Sequence, residues 1–463
     1  MKISFHGSAQ NVTGSCHLIE CAGKRILIDC GLYQGGHALT EENYEPFGFA
    51  PTTIDILLLT HAHLDHCGRI PLLVKRGFTG EIITTAASVE LTRLILLDSA
   101  GLQEGEARYQ ARRAKRHSNK NKYHIDPLYT TLDALNSLEF FVRRAQYNTP
   151  LQLEQGITAT FIDAGHILGS ACILLELEEE GKHHRILFSG DLGYGGRAIL
   201  RDPAIPPEVD TVVMETTYGD RLHKQLLPSI EELYDVINTT LNRGGNIIIP
   251  TFALERAQEL LYYLREGVEN KEIERNINVF LDSPMAISAT QIFERHPECY
   301  DSETLNVSID NDPFRLPRLH FTRETAESMA INQISGGAVI MAGSGMCTGG
   351  RIRHHLKHNL WNRLNSIIFV GFAAQGTLAR KIVDGAEWVS LYGEEIRVRA
   401  SIHTIGGFSA HADQAELLSW HSKTGKPKRT FLVHGEEKSM KVFADKLENT
   451  DVIMPSLNDS YTL

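Results

Sequence analysis

The chain has 463 residues, 42% hydrophobic and 22% charged, a composition that supplies a sizeable core and suits two or three domains. Its net charge of -11 excludes a generally basic protein that coats nucleic acid, while leaving room for a locally basic groove. No stretch approaches about eighteen uncharged apolar residues, the start MKISFHGSAQ lacks the layout of a secretory signal, and the seven cysteines form no C-x-x-C pair, so a reduced, cytoplasmic protein with no membrane partner is expected.

Short aliphatic strands dominate the first part of the chain, and each finishes in a polar residue. RILIDCG ends at Asp29, DILLLTHAH runs into His61 and His63, ITATFIDAGH ends at His166, RILFSGDLG at Asp191 and TVVMETTYG at Glu215. A ligand-type residue at a strand end lies at the rim of a sheet, so these endings predict several strands emptying into one shared edge. Between them, residues 86–145 read as mostly helical and carry the basic run from Arg108 to Lys122, edged by Tyr109 and Tyr123. That run suits a solvated helical face or, alternatively, steering of an RNA backbone, for which Arg112 and Arg113 are the candidates.

From about Leu222 the rhythm becomes strand, loop, helix. GNIIIP leads to TFALERAQELLYYLR, NVFLDSP to MAISATQIFERH, AVIMAGSG to GRIRHHLKHNL, and SIIFVGFAAQG to TLARKIVDG. Such units predict an open parallel sheet covered by helices. After Gly385 short strands return, and RTFLVHGEE again ends in a lone polar residue, His434. The expected organisation is one α/β fold over 1–221 and 386–463 with a second α/β domain, 222–385, inserted into it.

The segment LTHAHLDHCGRI places three histidines and an aspartate within six residues at a strand end. His61 and His63 are two apart and in an extended segment point the same way, so both rings can grip one metal ion. Asp65 and His66 follow the turn and suit a second ion. His166 fits as third nitrogen for the first, Asp191 as a bridging carboxylate, and His434 as a nitrogen for the second. A set of imidazoles and carboxylates without thiolate suits two zinc ions, with manganese or iron as alternatives. Ions roughly 3.5 to 4 Å apart lower the pKa of a shared water towards about 7 and neutralise a phosphodiester, which makes hydrolysis the expected reaction class.

The H-x-H-x-D-H pattern of His61 to His66, with Asp29, His166 and Asp191, resembles the metallo-β-lactamase superfamily. VTGSCHLIE, METTYGD, PTFALERAQELL, DSPMA, AGSGMCTGGRIRHHL, GFAAQGTLARKI, GGFSAHAD and VHGE extend the resemblance to its β-CASP branch of nucleases, including the cleavage and polyadenylation endonuclease and bacterial RNases. The resemblance implies an αββα sandwich bearing two zincs and an inserted β-CASP domain as a lid. It assigns His61, His63 and His166 to one zinc, Asp65, His66 and His434 to the other, Asp191 as bridge and Asp29 behind a ligand histidine. His411, Glu215 and Asp65 become the catalytic candidates, with His411 near the leaving oxygen and oriented by Glu215. A histidine paired with a carboxylate stays protonated at neutral pH and is able to donate to a departing 3′ oxygen.

The loop GSGMCTGGR lacks the G-K-[ST] ending of a nucleotide P-loop. Ser344, Gly345, Met346 and Arg351 are instead candidates for a substrate phosphate, unless the loop is simply a tight turn. His403 reads as structural. The expected function is a zinc-dependent endoribonuclease on single-stranded RNA, leaving 5′-phosphate and 3′-hydroxyl ends. A 5′-exoribonuclease of RNase J type, a DNA or small-phosphodiester hydrolase and a non-catalytic RNA-processing subunit are the alternatives, and a homodimer stays open.

Overall fold

In the computed structural model, which describes residues 1–117, 126–274, 276–310, 312–371 and 373–463, the aliphatic runs become strands. They sort into two units. One comprises Met1–Gly195, Asp202–Leu222 and His411–Leu463, the other Gly196–Arg201 and His223–Ala410.

The first unit is built on two seven-stranded sheets. In the first, Lys24–Ile28, Ile56–Leu58 and Glu81–Thr85 run parallel side by side. In the second, Lys182–Phe188, Thr211–Glu215 and Arg429–Val433 do the same. The sheets bury Ile28, Leu58 and Phe5 together with Phe161, Phe188, Val213 and Phe431 in one core. The alternate residues Leu187, Val212, Met214 and Leu432 of the second sheet point the other way, into a core with Leu417 and Trp420 of helix Gln414–Ser422 and Met440 and Phe443 of helix Glu437–Ala444. Strands buried on both faces must be apolar throughout, which is why these runs show no polar alternation. Parallel neighbours end at the same rim, so the polar residues that follow each strand gather at one edge of the sandwich.

The second unit carries a six-stranded sheet in the order Leu319–Phe321, Asn278–Leu281, Ala338–Ala342, Ile247–Pro250, Ser366–Val370 and Ser401–Ile405, every neighbouring pair parallel. The four strands expected from the strand-loop-helix rhythm form its centre, each followed by its helix. The unit runs beyond the expected limits of 222–385. Ser401–Ile405 pairs with Ser366–Val370, a hairpin of Trp388–Leu391 and Glu394–Arg397 precedes it, and Ile199 accepts from the backbone N–H of Asp301 (2.8 Å). Residues 386–410, expected to complete the first fold, therefore add an edge strand to the inserted one. The half-buried pattern of Ser401–Ile405 hides that in the sequence.

All seven cysteines are free and buried. Among the described residues no helix is long and apolar enough to cross a membrane.

Candidate metal centre

The rim of the first unit collects the histidines. Ile56–Leu58 delivers Thr60, His61 and His63, and the chain then turns into the short helix Leu64–Cys67, which carries Asp65 and His66. His166 follows strand Ile157–Asp163, Asp191 follows Lys182–Phe188, and His434 follows Arg429–Val433. Asp29 and His434 both adopt left-handed backbone conformations, with φ of 61° and 48°. Non-glycine residues held there cluster where a side chain must be aimed rather than packed.

Two groups of ligand atoms result. His61, His63, His166 and Asp191 form one and Asp65, His66 and His434 the other, each with its ligand atoms within 4.8 Å of one another. Nδ1 of His63 lies 3.2 Å from Nε2 of both His61 and His166, and Oδ2 of Asp191 lies 3.5 and 3.6 Å from the same two nitrogens. In the second group Nε2 of His434 is 3.3 Å from Nε2 of His66 and 3.3 Å from Oδ2 of Asp65. Tetrahedral zinc with bonds of about 2.0 to 2.1 Å places its ligand atoms roughly 3.3 to 3.4 Å apart, so both groups have the spacing of a coordination shell. Oδ1 of Asp191 points at the second group, 3.3 Å from Nε2 of His66, yet accepts no hydrogen bond although fully buried. A buried carboxylate oxygen left without a donor is costly, and a cation is the partner that chemistry suggests. The residues fit a pair of ions with Asp191 between them.

The electrostatics agree with this layout. Burial pushes the His63 imidazole down to about 3, which keeps it neutral and able to bind a cation. Burial alone would raise the Asp191 carboxyl, but the His434 and His66 rings hold it well below the carboxylate range. His66 is raised well above its ordinary value, because Asp191 and Asp29 outweigh its burial. Asp29 accepts from the Thr60 amide (2.8 Å) and hydroxyl (2.9 Å) and sits 2.7 Å from Nδ1 of His66, and the same hydroxyl is 3.0 Å from Nδ1 of His61. Thr217 Oγ1 plays the same part 3.1 Å from Nδ1 of His434. Neither threonine stands out in the sequence, where the only signal is a hydroxyl neighbouring the histidine or glutamate motif.

A third donor set, Asp191, Glu215 and His434, overlaps the second. Glu215 has other partners: Oε1 accepts from the Leu192 amide at 2.6 Å, and both oxygens lie 3.3 Å from Nδ1 of His411. The His411 ring packs 4.5 Å from that of His166. Burial works against its charge, but Glu215 beside it raises His411 to about 9. A protonated imidazole thus stands against the ligand cluster, held by a fully buried carboxylate.

The remaining candidates lie elsewhere. Ser344, Gly345, Met346 and Arg351 belong to the second unit. There Ser344 Oγ accepts from the Gly349 amide (3.4 Å), and Arg351 donates from Nη1 to Asp282 (2.7 Å) and the Thr322 carbonyl (3.0 Å) and from Nη2 to the Arg323 carbonyl (2.6 Å). The Arg351 guanidinium is thereby committed to the protein itself. His403 lies in strand Ser401–Ile405 with Nε2 3.5 Å from Ser366 Oγ, a structural setting. Of the basic run, Arg108 pairs with Glu104 (3.4 Å) and Arg112 is exposed, while the side chains of residues 113–117 and all of 118–125, Lys122 and Tyr123 among them, lie outside the described residues.

Family comparisons decide the lineage. Residues 10–235 match the metallo-beta-lactamase superfamily, 257–382 the Beta-Casp domain, and 395–455 the Zn-dependent metallo-hydrolase RNA specificity domain. Ribonuclease TTHA0252 of Thermus thermophilus is 38% identical over 441 residues, which cover 95% of this chain and 94% of that one. The chain belongs to the β-CASP branch of the metallo-β-lactamase superfamily. It is a metal-dependent hydrolase of that ribonuclease family. Transcription termination factor FttA of Methanocaldococcus jannaschii is 31% identical over 460 residues, covering 96% of this chain and 68% of that protein. A protein of unknown function from Enterococcus faecalis V583 shares the fold along the full chain, with a TM-score of 0.56 at 12% identity, covering 99% of that protein.

Proposed function

We propose that this β-CASP protein is an endoribonuclease that hydrolyses single-stranded RNA with two zinc ions, leaving 5′-phosphate and 3′-hydroxyl ends. The observation that carries the reading is the pair of donor groups joined through Asp191, with His411 raised to about 9 against the same cluster. A ribonuclease name on a relative aligned along 95% of the chain supports RNA as the substrate.

His61, His63 and His166 would hold one ion and Asp65, His66 and His434 the other, with Asp191 shared. When bound, the ions supply a water of lowered pKa and neutralise phosphate charge. The chain's own residues do the rest. Asp29 and the hydroxyls of Thr60 and Thr217 fix the ring orientations of the ligand histidines. His411, charged at neutral pH, donates its proton to the departing 3′ oxygen, and Glu215 orients it and stabilises its charge. The backbone amides of Ser344 to Met346 remain candidates to receive a substrate phosphate, whereas the engagement of Arg351 favours a supporting part for that side chain.

A circular single-stranded RNA and a DNA circle of the same sequence separate the possibilities. The zinc-loaded protein is expected to open the RNA circle, with mapped products carrying 5′-phosphate and 3′-hydroxyl. Degradation confined to free 5′ ends of linear RNA would replace the reading with an exonuclease, and equal opening of both circles would make it a general phosphodiesterase.

A further inference from the structure

A cavity of about 280 Å³ in the second unit lies among helix Leu378–Val383, the start of helix Ile352–Asn359 and the hairpin Trp388–Leu391/Glu394–Arg397. Arg353, Lys381, Trp388, Ser390, Glu395 and Leu378 line it. That volume is near the lower end of small-molecule sites, about 300 Å³, and gives room for roughly one nucleotide.

The lining is unusual for a plain surface dimple. Nε of Arg353 is buried and has no hydrogen-bond partner among the described residues, and neither Arg353 nor Lys381 joins an ion pair among them. Arg353 instead lies over the Tyr392 ring, 4.9 Å from its centre, and the His354 ring also stacks with Tyr392 at 4.5 Å. Trp388 is 52% exposed, with Arg397 5.6 Å from its ring. Two cations without carboxylate partners beside one carboxylate, and an exposed indole at the mouth, are complementary to a phosphate and a base of a flexible strand. Stacking on an aromatic ring and attraction of the phosphate by nearby cations are how single strands bind without a duplex to read. Glu395, paired across the hairpin with Ser390, adds an acceptor for an amino group on a base.

The cavity is tied to the glycine loop. Helix Ile352–Asn359 begins directly after the glycine loop 343–350, and Met346 of that loop accepts through its carbonyl from the Ala379 amide (3.3 Å) in the cavity's other helix. The cavity and the loop therefore share one framework.

We infer that this cavity is an auxiliary subsite that holds one nucleotide of a single-stranded RNA outside the bond being cut. The inference rests on the ribonuclease reading and names a subsite of its substrate. Its consequence is a length dependence, since only an RNA long enough to reach the cavity gains from it.

The test compares wild type with Trp388→Ala and Lys381→Glu, both at exposed positions. Cleavage of oligouridylate of roughly 30 nucleotides should show KM raised about five- to tenfold with kcat unchanged, and cleavage of a six-nucleotide RNA should change in neither constant. Trp388→Phe, which keeps a stacking face, should restore most of the affinity. Anisotropy with a phosphorothioate-linked oligouridylate measures binding without turnover. Weakened binding in the variants supports the subsite even if no RNA were cleaved, a result that would remove the nuclease reading alone. Unchanged KM and binding for the long RNA, or equal losses for long and short RNA, would overturn the subsite.

Discussion

His66 is held from both sides, its Nδ1 2.7 Å from Oδ2 of Asp29 and its Nε2 3.3 Å from Oδ1 of Asp191. With a cation in the cluster, Asp29 keeps the remaining proton on Nδ1 and leaves the Nε2 lone pair facing the ion, whereas without one Asp191 and Asp29 together hold the ring protonated. Replacing that carboxylate by an amide of the same size presents an N–H to the ring, while asparagine still tolerates the left-handed backbone at φ 61°. Asp29→Asn is expected to weaken binding of one of two zinc ions by about 10- to 100-fold with the fold intact, as read by competition with a fluorescent chelator. Unchanged affinity for both ions would remove Asp29 from the support of the centre.

His411 and the metal ligands should separate under mutation. His411→Ala is expected to keep both ions and slow RNA cleavage by roughly 100- to 10,000-fold, the usual worth of a positioned acid. A substrate with a better leaving group, bis-p-nitrophenyl phosphate, needs less protonation and should recover part of the loss. Loss of zinc from His411→Ala, or an unaltered rate on RNA, would contradict the role.

The same pair sets the pH dependence. His411 is raised by Glu215, so it acts as a donor below its folded pKa and loses that proton as pH rises through it. Activity should therefore fall on the alkaline side, and bound divalent ions pull that limb below the value of about 9 set by the protein alone. Glu215→Gln keeps an oxygen for the Leu192 amide but removes the charge, so the limb should move to lower pH. A kcat profile with no shift would show that Glu215 does not control the proton.

In the second unit Asp282 is completely buried and accepts from Arg351 (2.7 Å) and Ser328 (2.6 Å), with Nε2 of His355 2.6 Å away. Burial opposes its charge, but these partners hold its carboxyl below the ordinary 3.8. A depressed folded value gives stability that is present above the unfolded pKa and lost as pH falls through the folded one. Asp282→Asn leaves the Arg351 charge without its partner and should destabilise this unit by about 3 to 5 kcal/mol, seen as a lowered unfolding midpoint at neutral pH whose gap from wild type narrows in acid. A midpoint within error of wild type would rule out that network as the anchor of the loop before helix Ile352–Asn359.

Much of this organisation is legible in the sequence, for identifiable reasons. Strands buried on both faces leave unbroken aliphatic runs, and the abrupt polar residue after each marks the sheet rim, so Asp29, His61, His166, Asp191 and His434 stand out without coordinates. Strand Ser401–Ile405 is half-buried with an exposed threonine and carries no such run, so its pairing with Ser366–Val370 is not legible in the sequence. Thr60 and Thr217 were invisible because a hydroxyl that orients a ring is one local bond among many threonines. The commitment of Arg351 to Asp282 joins positions 69 residues apart, beyond anything spacing reveals.

The most direct measurement is the rate of single-stranded RNA cleavage as zinc is added back to chelator-stripped protein, alongside Asp191→Ala under the same titration. Because Asp191 is placed between the two donor groups, the expected curve for wild type rises to a plateau near two ions per chain, and Asp191→Ala loses tight zinc binding and activity together. Full activity of the stripped protein, saturation at or below one ion, or an Asp191→Ala variant that cleaves at the wild-type rate would contradict a dinuclear centre that hydrolyses RNA.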